Sequence, residues 1–135
     1  METQDLKNLM DSWSGGSDGR TRHMFNRRFI MTEGVMAVAQ AAGCFWLLDI
    51  IATEVAPKCL SLWEKDGNGM TFFKVESDGE KASLWLEEDE GEPRLWERNI
   101  SYTDFPAGTW TFYLAIDGII CAPQEVLVML LTQEY

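Results

Sequence analysis

Apolar positions along the chain follow two rhythms, and the change falls near Cys59. Over residues 32–54, TEGVMAVAQAAGCFWLLDIIATE, they recur at spacings of three and four: Val35, Val38, Ala39, Ala42, Trp46 and Ile50 form one stripe. Phe45, Leu47, Leu48 and Ile51 widen that stripe, so the later half is expected to be buried nearly all round. Thr32 offers an N-cap hydroxyl, Glu33 suits the positive end of the helix dipole, and Pro57 marks the expected end. A helix over 33–54 is roughly 33 Å long, enough to cross one face of a small domain. Residues 35–51 also approach the length of a short membrane span. Gln40 and Asp49 interrupt them, no basic cluster follows and the flanks do not resemble a signal peptide, so a soluble core helix is expected.

From Cys59 onward short aromatic and β-branched runs alternate with turn signals. The expected strands are 60–65, 70–77, 82–88, 94–102, 109–116 and 119–122. Asp66-Gly67-Asn68-Gly69, Asp78-Gly79 and Asp117-Gly118 supply hairpin turns. Trp110, Phe112, Leu114 and Ile116 fall on one face of a strand, and Trp96, Ile100 and Tyr102 share a face in the strand before. The fold class that follows is α+β: an antiparallel meander of about five to six strands packed against one long helix from the N-terminal half. A short amphipathic helix over 5–13 precedes it, with Leu6, Leu9, Met10 and Trp13 at helical spacing and Thr3 as its cap. Ser14 to Gly19 reads as a flexible link. At 135 residues the chain is expected to be one domain: helix and linker over 1–19, basic loop and core helix over 20–58, and sheet with acidic turn and apolar tail over 59–135.

Charge changes this picture. The net charge is −11, and residues 76–135 hold 13 acidic and 3 basic side chains, leaving −1 for residues 1–75. Direct nucleic-acid binding by the second half is disfavoured, because phosphates need cations to replace their counterions. A basic protein surface is attracted by the same field. The acidity peaks at a turn where Glu87, Glu88, Asp89, Glu90 and Glu92 precede Pro93. Such a turn either solvates the hairpin that carries it or imitates a phosphate backbone and occupies a basic groove. Arg20, Arg22, Arg27 and Arg28, with His23 among them, form the one basic cluster; such a cluster either holds a phosphate or a nucleic-acid backbone, or pairs with the chain's own acidic second half or solvates a loop.

Candidate chemistry is sparse. Cys44, Cys59 and Cys121 are odd in number and far apart, which points to reduced thiols in a cytosol, and with a single histidine no metal or cofactor site is expected. Asp49, inside the apolar run, needs a partner or faces water. The 66–69 loop lacks the later ligands of a calcium loop. Residues 126–131, VLVMLL, form a bare apolar run for which burial in the domain or in a homodimer is expected, with Val126, Val128 and Leu130 as the contact residues.

Three stretches carry a resemblance: Ala41-Ala42-Gly43-Cys44-Phe45-Trp46-Leu47-Leu48-Asp49 with Ile51-Ala52-Thr53, the loop Asp66-Gly67-Asn68-Gly69, and Tyr102-Thr103-Asp104-Phe105-Pro106 before a strand and Pro123-Gln124-Glu125. Together, over about residues 22–125, they resemble a family of small proteins of unknown function found in bacteria, phages and other mobile elements. Members of that family tend to end at Pro-x-Glu-Tyr, whereas here Val126 and an apolar tail follow. The resemblance implies a mobile-element setting in the bacterial cytoplasm and brings no catalytic residues.

The functional expectation is a non-enzymatic binding inhibitor of a host defence complex, in the manner of anti-CRISPR proteins. Its acidic residues Glu87, Glu88, Asp89, Glu90 and Glu92 would occupy a basic nucleic-acid-binding site, with no direct contact to nucleic acid or membrane. The alternatives are a self-associating structural or regulatory module and a small hydrolase or nuclease using His23 with Asp49 or Asp104.

Overall fold

A computed structural model describes residues 1–16, 18–89, 91–117 and 125–135. The expected strand at 119–122, the turn glycine Gly118, Cys121 and Glu90 lie outside the described residues. The fold is α+β. Helix α1 (Thr3–Asp11) is followed by strands β1 (Arg20–Arg22) and β2 (Phe29–Thr32) and helix α2 (Glu33–Ala42). Next come α3 (Phe45–Ile50), a π turn (Ile51–Val55) and α4 (Ala56–Asp66). Strands β3 (Met70–Ser77), β4 (Ala82–Glu87), β5 (Arg94–Ile100), β6 (Gly108–Asp117) and β7 (Val126–Leu131) complete it.

The long helix is not where periodicity put it. Thr32 does cap α2, its hydroxyl accepting from the Val35 N–H at 3.3 Å. At Gly43, however, the backbone turns left-handed (φ 63°) and its N–H caps the Ala39 carbonyl, which ends α2 ten residues in. Helix restarts at Phe45 and runs 22 residues to Asp66. The break resets the phase of the stripe, so Phe45 is 47% exposed and Asp49 faces outward, while Leu47, Leu48, Ile51, Ala52 and Val55 are buried. Burial all round the later half therefore does not hold.

Pro57 fails to stop the helix, and the reason is local. The chain widens to a π turn in which the Ala56 N–H reaches back to the Ile51 carbonyl. The next bond in that pattern would run from residue 57 to the Ala52 carbonyl, and proline has no N–H to give. Asn26 fills the vacancy, its Nδ2 donating to the Ala52 carbonyl at 2.8 Å. Helix then continues through 60–65, the segment expected to be a strand, with Ala56, Cys59 and Leu60 buried at helical spacing and Gly67 (φ 71°) closing it.

The sheet has seven strands in the order β1-β2-β7-β6-β3-β4-β5, not five to six. Three strands lie outside those expected: β1 and β2 come from the basic region read as loop and β7 from the apolar tail, and β2 pairs parallel with β7, so the sheet is mixed. Strands β3, β4 and β5 form the expected hairpin-linked meander, but β6 returns to β3 instead of extending from β5. Trp110, Phe112 and Leu114 face the helices as expected, with Ile116 half-buried beside them. Trp96 and Ile100 pack on the core, whereas Tyr102 lies beyond β5 and is exposed.

One helical segment touches both edges of this sheet. Asp49 bonds His23, just past β1, and Glu54 pairs with Arg98 on β5. Residues 49 and 54 are separated by only about 7.5 Å of rise along a helix, whereas the edges of a flat seven-stranded sheet lie roughly 29 Å apart. The sheet therefore curls around the helix. Helix α1 docks through Leu6 and Met10; Thr3, expected as its cap, instead donates to the Ala107 carbonyl at 2.7 Å, while Asp5 accepts from the Glu2 N–H.

Glu134 locks the C-terminal end to this assembly. Its carboxylate accepts from the Thr32 hydroxyl (2.5 Å), the Gly34 N–H (3.2 Å) and the Leu131 N–H (2.9 Å), placing an anion on the first turn of α2.

Asn26→Ala is expected to cost about 1–2 kcal/mol by orphaning the Ala52 carbonyl. In a Pro57→Ala background, where residue 57 regains an N–H, the same change costs clearly less; a double-mutant cycle by urea denaturation measures the difference.

Candidate functional site

The acidic turn closes the β4–β5 hairpin, where register shifts at Leu86/Glu87 and the Glu92 N–H bonds the Asp89 carbonyl at 3.1 Å. Its first member is not a surface group. Glu87 is 8% exposed; the Trp85 indole N–H donates to its Oε1 at 2.9 Å, and Lys74 Nζ stands 3.5 Å from Oε2. Burial pushes the Glu87 carboxyl up, but the Trp85 bond and the Lys74 charge outweigh it and hold the group below its ordinary value. Arg94 lies over the same indole, 4.1 Å from the ring centroid. Glu87 thus fastens the sheet surface beneath the turn and is not free to meet a partner.

Glu88, Asp89 and Glu92 are the acids that line an open groove of about 550 Å³ together with Asn68, Met70 and Phe72. Asn68 joins the two loops that form it: Nδ2 donates to Glu88 Oε1 at 3.3 Å, and Oδ1 accepts from the Met70 N–H at 3.1 Å. Met70 and Phe72 point to the face of β3 away from the helices, because Thr71, Phe73 and Val75 take the buried side. Phe72 packs on Tyr113 of β6 (5.4 Å between centroids), and Tyr113 on Tyr135 (5.2 Å). The groove has an aromatic floor and a carboxylate wall. That arrangement suits a guanidinium or ammonium carried on an apolar stem, with the charge at the wall and the stem on the floor.

Sequence reasoning found the acids and missed the floor. The even positions of β3 carried its signal, but only the paired loops show that Asn68 meets Glu88. The tail residues are placed differently again: Val126 and Val128 are buried with Ile30 within one chain, and Leu130 is half-buried beside Tyr113. Val126 and Val128 thus reach burial within one chain.

The other candidates resolve into structural roles or stand apart. His23 is buried and its Nε2 lies 2.9 Å from Asp49 Oδ1, while Nδ1 accepts from the Phe25 and Asn26 N–H groups at 3.1 and 3.2 Å. Both ring nitrogens make bonds that fix the 23–28 loop on the helix, so the pair serves as a tether. Asp104 is exposed near Cys44 and is not brought to His23 by any hydrogen bond. Arg22 bonds the Arg27 carbonyl and Arg28 the Glu125 carbonyl, and Met24 and Phe25 stand 79% and 77% exposed between them. Among the described residues no group of three His, Cys, Asp or Glu is placed to hold a metal, and no helix is long and apolar enough to cross a membrane.

The chain belongs to a family of unknown function, DUF6876, whose family model matches residues 5–135. The match extends beyond the 22–125 span of the resemblance, taking in α1 from Asp5 onward and the whole apolar tail. Neither a search of curated proteins nor one of solved structures finds a match.

Burial pushes the Cys44 thiol up to about 12 and the Cys59 thiol up to about 11. Both are expected to resist iodoacetamide at pH 8 in the folded protein and to react on unfolding, as read by peptide mass mapping. Glu87→Gln tests the fastening of the groove's surround. Because the folded Glu87 value is depressed, its contribution is full above the unfolded value of about 4.5 and fades as pH falls through the folded one. The variant is therefore destabilised at pH 7, and the deficit shrinks in acid denaturation series below pH about 4.

Proposed function

We propose that this protein acts by binding and not by catalysis, its groove of Glu88, Asp89, Glu92, Met70 and Phe72 seating arginine or lysine side chains from a basic protein surface. The observation that carries the reading is the pairing of a carboxylate wall with an aromatic floor on an open sheet face. Charge alone would raise the rate of encounter; a floor that takes the aliphatic stem adds a place to stay. The surfaces richest in such side chains are those that hold nucleic acid, so the target class is a nucleic-acid-handling complex of a bacterial host. Competition with its nucleic acid would be the effect. The mobile-element setting and the anti-CRISPR-like role belong to this proposal. Glu87 drops out of the contact set and acts from beneath.

The test compares wild type with Glu88→Lys/Asp89→Lys/Glu92→Lys and, separately, with Phe72→Ala, using host lysate and mass spectrometry. Wild type is expected to retain nucleic-acid-binding proteins that added DNA or RNA displaces. The charge reversal should lose them, and Phe72→Ala should weaken retention several-fold while the far-UV spectrum stays native. Retention by the charge-reversed protein equal to wild type would sink the proposal.

A further inference from the structure

A second groove lies on the opposite, helical side, between α4 and the sheet edge formed by β5. Its volume is about 360 Å³, and Pro57, Lys58, Ser61, Leu62 and Lys65 of α4 face Leu95 of β5 across it. The curl of the sheet creates this gap. Glu54 meets Arg98 at one end, and further along the helix Leu62 and Lys65 stand opposite Leu95, so helix and strand run side by side without closing. Strand β5 pairs only with β4 among the described residues, leaving its outer row of backbone groups available. Lys58 and Lys65 lie two helical turns apart, about 10 Å, on one face. Among the described residues neither has a carboxylate within ion-pair range, although the chain carries 22 acidic side chains.

We propose that the groove between β5 and α4 takes an extended acidic–apolar segment of a partner protein as an eighth strand. The backbone would pair with β5, an aliphatic side chain would sit against Leu62 and Leu95, and carboxylates on either side of it would meet Lys58 and Lys65. In an extended chain alternate residues face the same way, so acid, aliphatic and acid at positions i, i+2 and i+4 span roughly 13 Å, within reach of two lysines. A second copy fits the edge poorly. Two-fold antiparallel pairing centred on Trp96 sets Arg94 opposite Arg98; centred on Glu97 or Arg98, it sets that residue against itself. Like charges meet in each of these three central registers. This site shares no residue with the acidic groove, so either proposal can fail alone.

The probe is the fluorescein-labelled peptide TETVTET, with TKTVTKT as control, titrated by anisotropy at low salt into the full chain. Saturable binding of TETVTET is expected, at least tenfold weaker for Lys58→Glu/Lys65→Glu and absent for TKTVTKT. Amide shifts on binding should concentrate in 57–65 and 94–100. Equal binding of the two peptides, no saturation at millimolar concentration, or shifts centred elsewhere would each overturn the assignment. A concentration-dependent dimer abolished by the double substitution would transfer the edge to self-association.

Discussion

A sheet that curls needs something to curl around, and in this protein it is the 22-residue helical segment from Phe45 to Asp66. The concave side of the sheet is lined by Phe73, Val75, Leu84, Leu86, Phe112, Leu114, Leu127 and Met129, and the apolar face of that segment, Leu47, Leu48, Ile51, Ala52, Val55, Ala56 and Cys59, fills it. An ideal helix stopped by Pro57 would be too short. The π turn and the amide of Asn26 let the segment pass the proline with the Ala52 carbonyl paired, and that allows Cys59 and Leu60 to reach the core. His23 and Asn26 therefore belong to the same device: one fixes the 23–28 loop, the other repairs the helix.

Both candidate surfaces follow from the curl. Strands β4 and β5 wrap over the helix far enough that Arg98 reaches Glu54, but not far enough to close on α4. The remaining gap is the cationic groove. On the convex side the same curvature exposes β3 and β6 and leaves Met70, Phe72 and Tyr113 half-buried, with no α-helix over them among the described residues. Glu87, Trp85, Lys74 and Arg94 form a polar clasp beside that aromatic strip. The clasp engages Glu87 and leaves the next three described acids to line the groove.

How far the chain could be read from its sequence depends on what each signal required. Thr32 as a cap, the strands around Phe73, Leu84 and Phe112, and the core side of β6 follow from local spacing, and they stand. The placement of the long helix failed because Gly43 looks harmless inside an apolar run, and because Pro57 reads as a stop when its cost is met from thirty residues away. Strands β1 and β2 were missed for a related reason. Arg20–Arg22 and Phe29–Thr32 are too short to show a period, and their pairing is with each other and with β7, nearly a hundred residues on. The acidic turn was legible as composition; that Glu87 is spoken for and that Phe72 lies beneath the others required the register of β3 and β4.

One hairpin carries both surfaces. Its turn supplies carboxylates to the convex side, and its outer strand supplies Leu95 and an open edge to the helical side, where the lysines stand unpaired. The strand's own charges, Arg94, Glu97 and Arg98, are paired with Glu97, with Arg94 and with Glu54, so they add little net field to either groove. In a chain of net charge −11, a locally cationic groove persists only if the nearest acids are turned elsewhere. The β4–β5 hairpin does that by directing its acids to the opposite face. Separation of charge across one sheet is thus built into the geometry of the hairpin, and it gives the two faces opposite preferences for whatever they meet.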